Sequence, residues 1–180
     1  MLAAVAVSVS VLVAGCTQDA GPKPSPLPSV MASSSSAATP SAPAMPAEAK
    51  GTTAASARAF AKYYVELINY SSGSGDTKAL DTAGDTRCES CAAISQNIRR
   101  IYGDGGSIHS KGWTLQSVAL VPKQPRVRPI LDLGVLQASE TVVRVAGGPA
   151  KKFPGGKQPM TMHLSMQGDR WVVTRLDLVT

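Results

Sequence analysis

The sequence predicts an α+β domain in which helices come first and an antiparallel sheet follows. Between about residues 53 and 101, apolar side chains recur at the helical spacing of about 3.6 residues. After Gly106 the spacing changes to about two, as in half-buried strands. The last two alternating segments are joined by Gly168-Asp169, which is typical of the tight turn in a β-hairpin.

The first predicted helix runs from about Thr53 to Tyr70, and Ser71 to Gly75 should end it. Its apolar side carries Ala57, Phe60, Ala61, Tyr64, Leu67 and Ile68, and its polar side carries Arg58, Lys62, Glu66 and Asn69. A short helical turn is expected from Asp76, as N-cap, to Ala83. The third helix ends at Gly103 and has an apolar face formed by Cys91, Ile94, Ile98 and Ile101.

The remaining chain reads as strands. Residues 113–121 change the parity of their alternation, which predicts a bulge, and residues 127–137 and 139–146 form two further candidates. Residues 147–156 are read as a loop because glycine and proline cluster at both ends. The clearest strand puts Met160, Met162, Leu164 and Met166 on one face and Thr161, His163, Ser165 and Gln167 on the other. Its hairpin partner is residues 170–178.

Composition excludes several classes of protein. The hydrophobic fraction of 43% permits a core, but the aromatic fraction of 4% disfavours a nucleic-acid binder built on aromatic platforms. No groove-reading motif is present either, so we expect no nucleic-acid partner. No apolar run reaches the roughly 18 residues of a membrane-spanning helix, which excludes a polytopic membrane protein.

The N-terminal segment predicts export. Residues 1–15 are apolar or small, and the run is too short for an anchor but fits a secretory signal peptide. Val13-Ala14-Gly15-Cys16 resembles the bacterial lipobox, which implies that the mature chain starts at Cys16 and is held by acyl chains on the extracytoplasmic face of the cell membrane. No Lys or Arg precedes the apolar run, which allows for a start upstream of Met1.

Residues 16–50 are predicted to form a disordered linker after the lipidated Cys16. This part of the chain is rich in Pro, Ser and Ala, and the first 50 residues hold seven of the 13 prolines. Such a composition buries too little apolar surface to offset its ordering entropy. The linker is either a stalk that spaces the domain from the membrane or a tail without a spacing role.

The folded part of the chain, predicted as residues 51–180, carries the whole net charge of +6. From Gly51 onward there are 16 Lys or Arg residues against 10 Asp or Glu residues. A basic domain beside a membrane is suited to anionic lipid head groups or wall polymers. The charges are scattered along the sequence, so a solvated mixed surface is the simpler interpretation.

Two family resemblances follow from these segments. A long opening helix, shorter helices and a sheet that closes on a Gly-Asp-x-Trp-Val-Val strand resemble the nuclear-transport-factor-2-like, or cystatin-like, α+β cone. Residues 59–70, with Tyr-Tyr-x-x-x-x-Asn-Tyr, residues 75–77 and residues 87–91, with Cys-x-x-Cys, resemble an actinobacterial lipoprotein family known as domain of unknown function 6318. The resemblance covers about residues 51–180 and implies a curved, cone-like sheet but no activity.

Cys88 and Cys91 are the main candidates for chemistry. A single Cys-x-x-Cys outside the cytoplasm is a structural disulfide, a redox centre or half of a metal site. A closed zinc site would need both His109 and His163 to converge on the pair. Redox catalysis would need a βαβ setting that the pattern lacks. We therefore predict a structural disulfide that closes the first turn of the third helix, with no metal and no cofactor.

The sequence favours a binding module over an enzyme. It contains no nucleophile elbow, phosphate-binding glycine loop or zinc-protease motif, so no catalytic residue is assigned. Asp132, Glu140, Asp177 and His163 are interpreted as solvent-side residues, and the cavity of the cone is expected to be apolar, with Trp113, Trp171 or a methionine at its rim.

The expected function is therefore binding of a small apolar ligand or an envelope protein. The alternatives are an acid/base enzyme that uses an inward Asp or His, and a thiol oxidoreductase that uses Cys88 and Cys91.

Overall fold

The computed structural model describes residues 41–179, and these form an α+β fold. The elements in chain order are a 3-10 turn (Ala47–Ala49), α1 (Ala54–Ser74), α2 (Lys78–Ala83), α3 (Glu89–Gly103), β1 (Gly105–Ser110), β2 (Trp113–Leu120), β3 (Ile130–Gln137), β4 (Glu140–Val145), β5 (Ala150–Phe153), β6 (Gly156–Gln167) and β7 (Arg170–Leu178). The predicted fold class is confirmed. The predicted signal peptide, Cys16 and the linker up to residue 40 lie outside the described residues.

Helix α1 ends at Ser74, later than the predicted Tyr70, because Gly75 and not Ser71 ends it. Thr53 and Ser56 form a reciprocal capping box at its start, with backbone-to-side-chain distances of 3.0 Å in both directions. The helix continues to Ser74 because Ser71 packs inside the protein at 0% exposure. Gly75 then ends it with φ of 79°, a conformation that glycine adopts without strain.

The two shorter helices lie close to their predicted positions. Thr77, and not Asp76, is the N-cap of α2, although Asp76 Oδ1 accepts a hydrogen bond from the backbone N–H of Lys78 at 3.0 Å. Helix α3 has Cys88 as its N-cap, whose Sγ accepts from the N–H of Cys91 at 3.2 Å. The Oγ of Ser90 accepts from the N–H of Leu176 at 3.0 Å and so ties the start of α3 to β7.

The strands form two antiparallel sheets, in the orders β1-β4-β5 and β2-β3-β6-β7. The predicted β6–β7 hairpin and the predicted bulge in β2, between Leu115 and Ser117, are confirmed. Strands β1 and β2 are separated only by residues 111–112, β3 and β4 by residues 138–139, and β5 and β6 by residues 154–155. At each of these three breaks the chain passes from one sheet into the other.

Asn69 of α1 fixes the bend between β1 and β2. Its Oδ1 accepts from the N–H of Trp113 at 2.7 Å, and its Nδ2 donates to the carbonyl of Trp113 at 2.9 Å. A glycine is needed beside it: Gly112 has φ of 83°, and a β-carbon there would lie 2.7 Å from Asn69 Oδ1. Asn69, predicted on the polar side of α1, is half-buried, because its amide pairs with the backbone of Trp113.

One hydrophobic core joins the helices to the sheets. The apolar face of β6 points inward as predicted, since Met160, Met162 and Leu164 are 4%, 0% and 2% exposed. They belong to the same core as the helical residues Phe60, Tyr64 and Ile98. No helix within residues 41–179 is long and apolar enough to cross a membrane.

Two boundaries differ from the sequence prediction. The described fold begins before Gly51: residues 47–49 form a 3-10 turn, Ala49 is 1% exposed, and Met45 packs on the core. Burial of these small apolar side chains orders a segment that its composition assigned to the linker. Strand β5 lies inside the predicted loop of residues 147–156, because Ala150 to Phe153 pair with β4 between the glycine- and proline-rich turns.

Candidate functional site

A cleft with apolar and polar lining residues opens between α1, α3 and the β1-β4-β5 sheet. Its volume is about 260 Å³. The lining, which we call the helix-sheet cleft, consists of Ile68, Ile94, Ile98, Ile101, Ile108, Trp113, Val142 and Phe153, with Ser72, Asn97, Gln137, Glu140 and Arg144 as polar residues. Ile94 and Trp113 are half-buried, so part of this apolar surface remains in contact with solvent.

The mouth of the helix-sheet cleft carries positive charge. The Nζ of Lys151 lies 4.9 Å from the centroid of the half-buried Phe153 ring, a cation–π distance. Arg144 is an exposed residue of the cleft lining, whereas Lys152 pairs with Thr141 and faces the opposite side of the sheet. An occupant with apolar side chains and negative flanking charge would complement this surface.

The ionisable residues named from the sequence do not form one cluster in the structure. Asp132 is exposed and accepts from Thr161 Oγ1 at 3.2 Å. Asp177 lies 2.7 Å from Arg175 Nε and 3.7 Å from His163 Nε2. Glu140 differs from the expectation, because it is half-buried and lines the helix-sheet cleft. The alternation in the sequence did not place Glu140 in the cleft, because the bend at residues 138–139 sets the direction in which the side chains of β4 point.

The two tryptophans that were expected at the rim of the cavity lie in different environments. Trp113 lines the helix-sheet cleft, as predicted. Trp171 is not at a rim, since it is 1% exposed and its indole N–H donates to Ser56 Oγ at 3.3 Å. This interaction joins β7 to the first turn of α1, so Trp171 belongs to the core.

The Cys88 and Cys91 Sγ atoms are 2.06 Å apart, a bonded distance, at the first turn of α3. Cys88 is 1% and Cys91 6% exposed, and Cys91 Sγ lies 3.8 Å from the carbonyl oxygen of Val173. A thiol exchange partner needs access to one of the two sulfurs. Their burial favours a structural role.

We expect the Cys88→Ser/Cys91→Ser double variant to fold with a reduced melting temperature. Serine preserves the N-cap acceptor at residue 88, and a loop this short removes little unfolded-state entropy, so the cost lies at the low end of the range of about 0–5 kcal/mol. Circular dichroism melts measure this change. Thiol titration of the denatured, unreduced parent should find no free thiol from the pair, and two free thiols would contradict the assignment.

A buried carboxylate lies before α3 and was not identified from the sequence. Asp85 is 7% exposed and receives Arg87 Nε at 3.1 Å, the Arg87 N–H at 2.9 Å and the side-chain amide of Gln167. The side-chain and backbone hydrogen bonds from Arg87 lower the pKa of Asp85. Because Gln167 is 82 residues away, local sequence patterns give no signal for this network.

Two hydroxyl groups are buried without a hydrogen-bond partner among residues 41–179, those of Tyr64 and Ser71. Burial, followed by the charge of Asp81, raises the pKa of Tyr64, so its phenol stays protonated. Within the same residues, no three His, Cys, Asp or Glu side chains are grouped as metal ligands.

Of the three similar solved structures that follow, the first supports the fold. The intermembrane space region of the chloroplast protein ARC6 is similar with a TM-score of 0.52 and 10% identity, covering 71% of this chain and 97% of that one. An uncharacterised protein with a cystatin-like fold from Caulobacter vibrioides gives 0.43 and 8%, covering 67% and 87%. A variant of Rd1NTF2_05 gives 0.40 and 14%, covering 69% and 96%.

No curated protein matches the chain significantly. A family model does match, over residues 30–177, and it covers all three helices, the Cys-x-x-Cys segment and both sheets apart from the last residue of β7. The family resemblance stated from the sequence is therefore confirmed. The chain belongs to the family of unknown function DUF6318.

Proposed function

We propose that this protein is a lipid-anchored, extracytoplasmic module of the cell envelope that binds an apolar segment of another envelope protein in the helix-sheet cleft. The observation that carries the proposal is the cleft itself, in which partly exposed Ile94, Trp113 and Phe153 surround a space of about 260 Å³. Half-buried aromatic and aliphatic side chains next to basic residues are typical of binding surfaces.

The size of the helix-sheet cleft favours a protein segment over a small molecule. Pockets for small molecules usually enclose about 300–1,000 Å³ and surround most of the ligand. A cleft slightly below this range accommodates one or two apolar side chains. Lys151 and Arg144 at its mouth favour acidic residues beside them.

The proposed location rests on the N-terminal sequence. The short apolar run before Cys16 fits a lipoprotein signal, and the Pro/Ser/Ala-rich residues after it fit a tether to the domain. A tethered domain meets membrane partners at a high effective concentration, so a shallow cleft with modest intrinsic affinity suffices.

The variant Ile94→Arg tests the binding site. It places a charge in the apolar lining, which should cost more than about 1.4 kcal/mol and so reduce binding at least about tenfold. Leu136→Arg is the matched control, because Leu136 is 43% exposed and is not part of the cleft. Quantitative mass spectrometry of proteins that copurify from host membranes measures the difference.

The proposal predicts at least one envelope protein that is depleted by Ile94→Arg and retained by Leu136→Arg. Melting curves of both variants check that the fold is intact. Equal recovery of every copurifying protein with the two variants would contradict the proposed site.

An acid/base enzyme is the second candidate, because Glu140 lines the helix-sheet cleft. Proton transfer needs a second polar group within hydrogen-bond reach of the reacting atoms. Among residues 41–179, Glu140 forms no side-chain hydrogen bond or ion pair. The binding proposal expects Glu140→Gln to retain the same copurifying proteins, whereas an enzyme would lose turnover with its substrate still bound.

A further inference from the structure

A second cleft lies on the outer face of the β2-β3-β6-β7 sheet, away from the core. It encloses about 290 Å³ and is lined by polar side chains that include Arg87, Arg128, His163, Ser165 and Thr174. We call it the outer cleft. His163 and Ser165 reach it because they alternate with Met162 and Leu164, which point into the core.

Backbone irregularities bring these side chains together. The β6–β7 pairing shifts at His163/Leu164, so that His163 pairs with Arg175 and Leu164 with Val173. Thr174 is the extra residue of this bulge, and its hydroxyl donates to the carbonyl of His163 at 3.2 Å. Bulges of this kind redirect side chains and are frequent beside functional sites.

The backbone around Arg128 is hydrogen-bonded to β6, on the side of β6 that is opposite to β7. The N–H of Met166 donates to the carbonyl of Val127, and the N–H of Leu164 donates to that of Pro129, both at 3.0 Å. These two bonds fix the backbone on either side of Arg128 while its side chain stays exposed. The guanidinium is therefore anchored at the cleft without being part of the core.

The charges around the outer cleft leave a surplus of positive charge. The carboxylate of Asp85 forms an ion pair with Arg87 and accepts a hydrogen bond from the side-chain amide of Gln167. The carboxylate of Asp177 is matched by Arg175, with His163 at 3.7 Å. No carboxylate within residues 41–179 lies within ion-pair distance of Arg128.

We propose that the outer cleft binds the phosphate group of an anionic ligand, with Arg128 as the principal cation and Ser165 and Arg87 as further donors. Arginine presents a planar set of N–H donors that matches phosphate oxygens, and hydroxyl groups complete such sites. The volume of about 290 Å³ accommodates one phosphate group and the atoms directly attached to it. The net charge of +6 would also raise the local concentration of anions.

Such a phosphate has two possible sources, the free ion or a phosphodiester of a lipid head group or wall polymer. Both present the same oxygens to Arg128 and differ in their substituents. Inorganic phosphate and glycerophosphoglycerol, the water-soluble head group of phosphatidylglycerol, are probes that separate them.

The test is a titration of the isotope-labelled full chain, held in a non-ionic detergent at low salt, with each probe and NMR detection. Saturable shifts are expected at the amides of Arg128, Ile130 and residues 163–165. Arg128→Gln should weaken the tighter probe about tenfold, because a hydrogen-bonded charge contact is lost. Ser165→Ala should give a smaller decrease at the same amides.

Arg58→Gln is the matched control, since Arg58 is an exposed arginine of α1 that makes no ion pair within residues 41–179 and does not line the cleft. Saturation by either probe, with weakening in Arg128→Gln and none in Arg58→Gln, supports the site, and the tighter probe identifies the source. Equal weakening by Arg58→Gln would indicate general charge attraction and overturn the proposal, as would absence of saturation with both probes. None of these results depends on the helix-sheet cleft.

Discussion

Replacing Trp171 with alanine should lower the free energy of unfolding by about 3–5 kcal/mol. The side chain is 1% exposed, and its indole N–H donates to Ser56 Oγ in the capping box of α1, so the variant loses both core packing and a contact between the last strand and the first helix. Because domains are stable by only about 5–15 kcal/mol, this is a large share of the total. Urea unfolding followed by circular dichroism measures it.

Two further variants separate the contribution of packing from that of the hydrogen bond and provide a surface control. Trp171→Phe keeps most of the ring volume and removes the hydrogen bond, so it should cost much less than alanine. Leu178→Ala is the surface control on the same strand, because Leu178 is 62% exposed, and its effect should stay within about 0.5 kcal/mol. A loss below about 1 kcal/mol for Trp171→Ala would show that the β7–α1 contact is not a main support of the fold.

The proposed lipid anchor predicts that replacing Cys16 with serine abolishes lipidation completely, because acylation at a lipobox requires the cysteine thiol. Cells fed an alkyne-tagged fatty acid should label the parent protein and not the variant. The apolar run before residue 16 is too short to span a bilayer, so the variant should also be depleted from the salt-washed membrane fraction.

Thr17→Ser is the control, since it changes a neighbouring side chain and keeps the thiol. It should label and fractionate like the parent protein. Fatty-acid labelling that persists in Cys16→Ser would contradict the lipoprotein assignment, and with it the proposed location of the domain.

Elements with a strong local pattern were predictable from the sequence. The alternation from Met160 to Met166 identified both β6 and its buried face, because a strand with one apolar face has one way to bury it. The change of parity after Leu115 identified the bulge in β2. The spacing of apolar residues likewise placed α1 and α3 within a few residues of their observed bounds.

Features that depend on distant contacts were not predictable. Asn69 resembles any polar residue on the exposed side of a helix, yet it holds the backbone of Trp113, 44 residues away. Strand β5 is four residues long and forms only because β4 is beside it. The helix-sheet cleft depends on both features, so the sequence indicated an apolar cavity but not its position or the presence of Glu140.

The outer cleft was not predictable from the sequence for a related reason. Its polar residues come from four separate parts of the chain, the α2–α3 loop, the loop before β3, and strands β6 and β7. A bulge between His163 and Leu164 decides where they meet, and no local spacing encodes that register. The scattered charges of the sequence therefore did not indicate that Arg128 and Arg87 line one cleft.

Photo-crosslinking in the host envelope tests the binding proposal most directly. A photoreactive amino acid replaces Ile94 inside the helix-sheet cleft or, as the control, Leu136 outside it. We expect a discrete crosslinked product of higher mass from position 94, containing a peptide of one other envelope protein, and no such product from position 136. A position 94 that yields no crosslink, or the same products as position 136, would contradict the assignment of this cleft as the binding site.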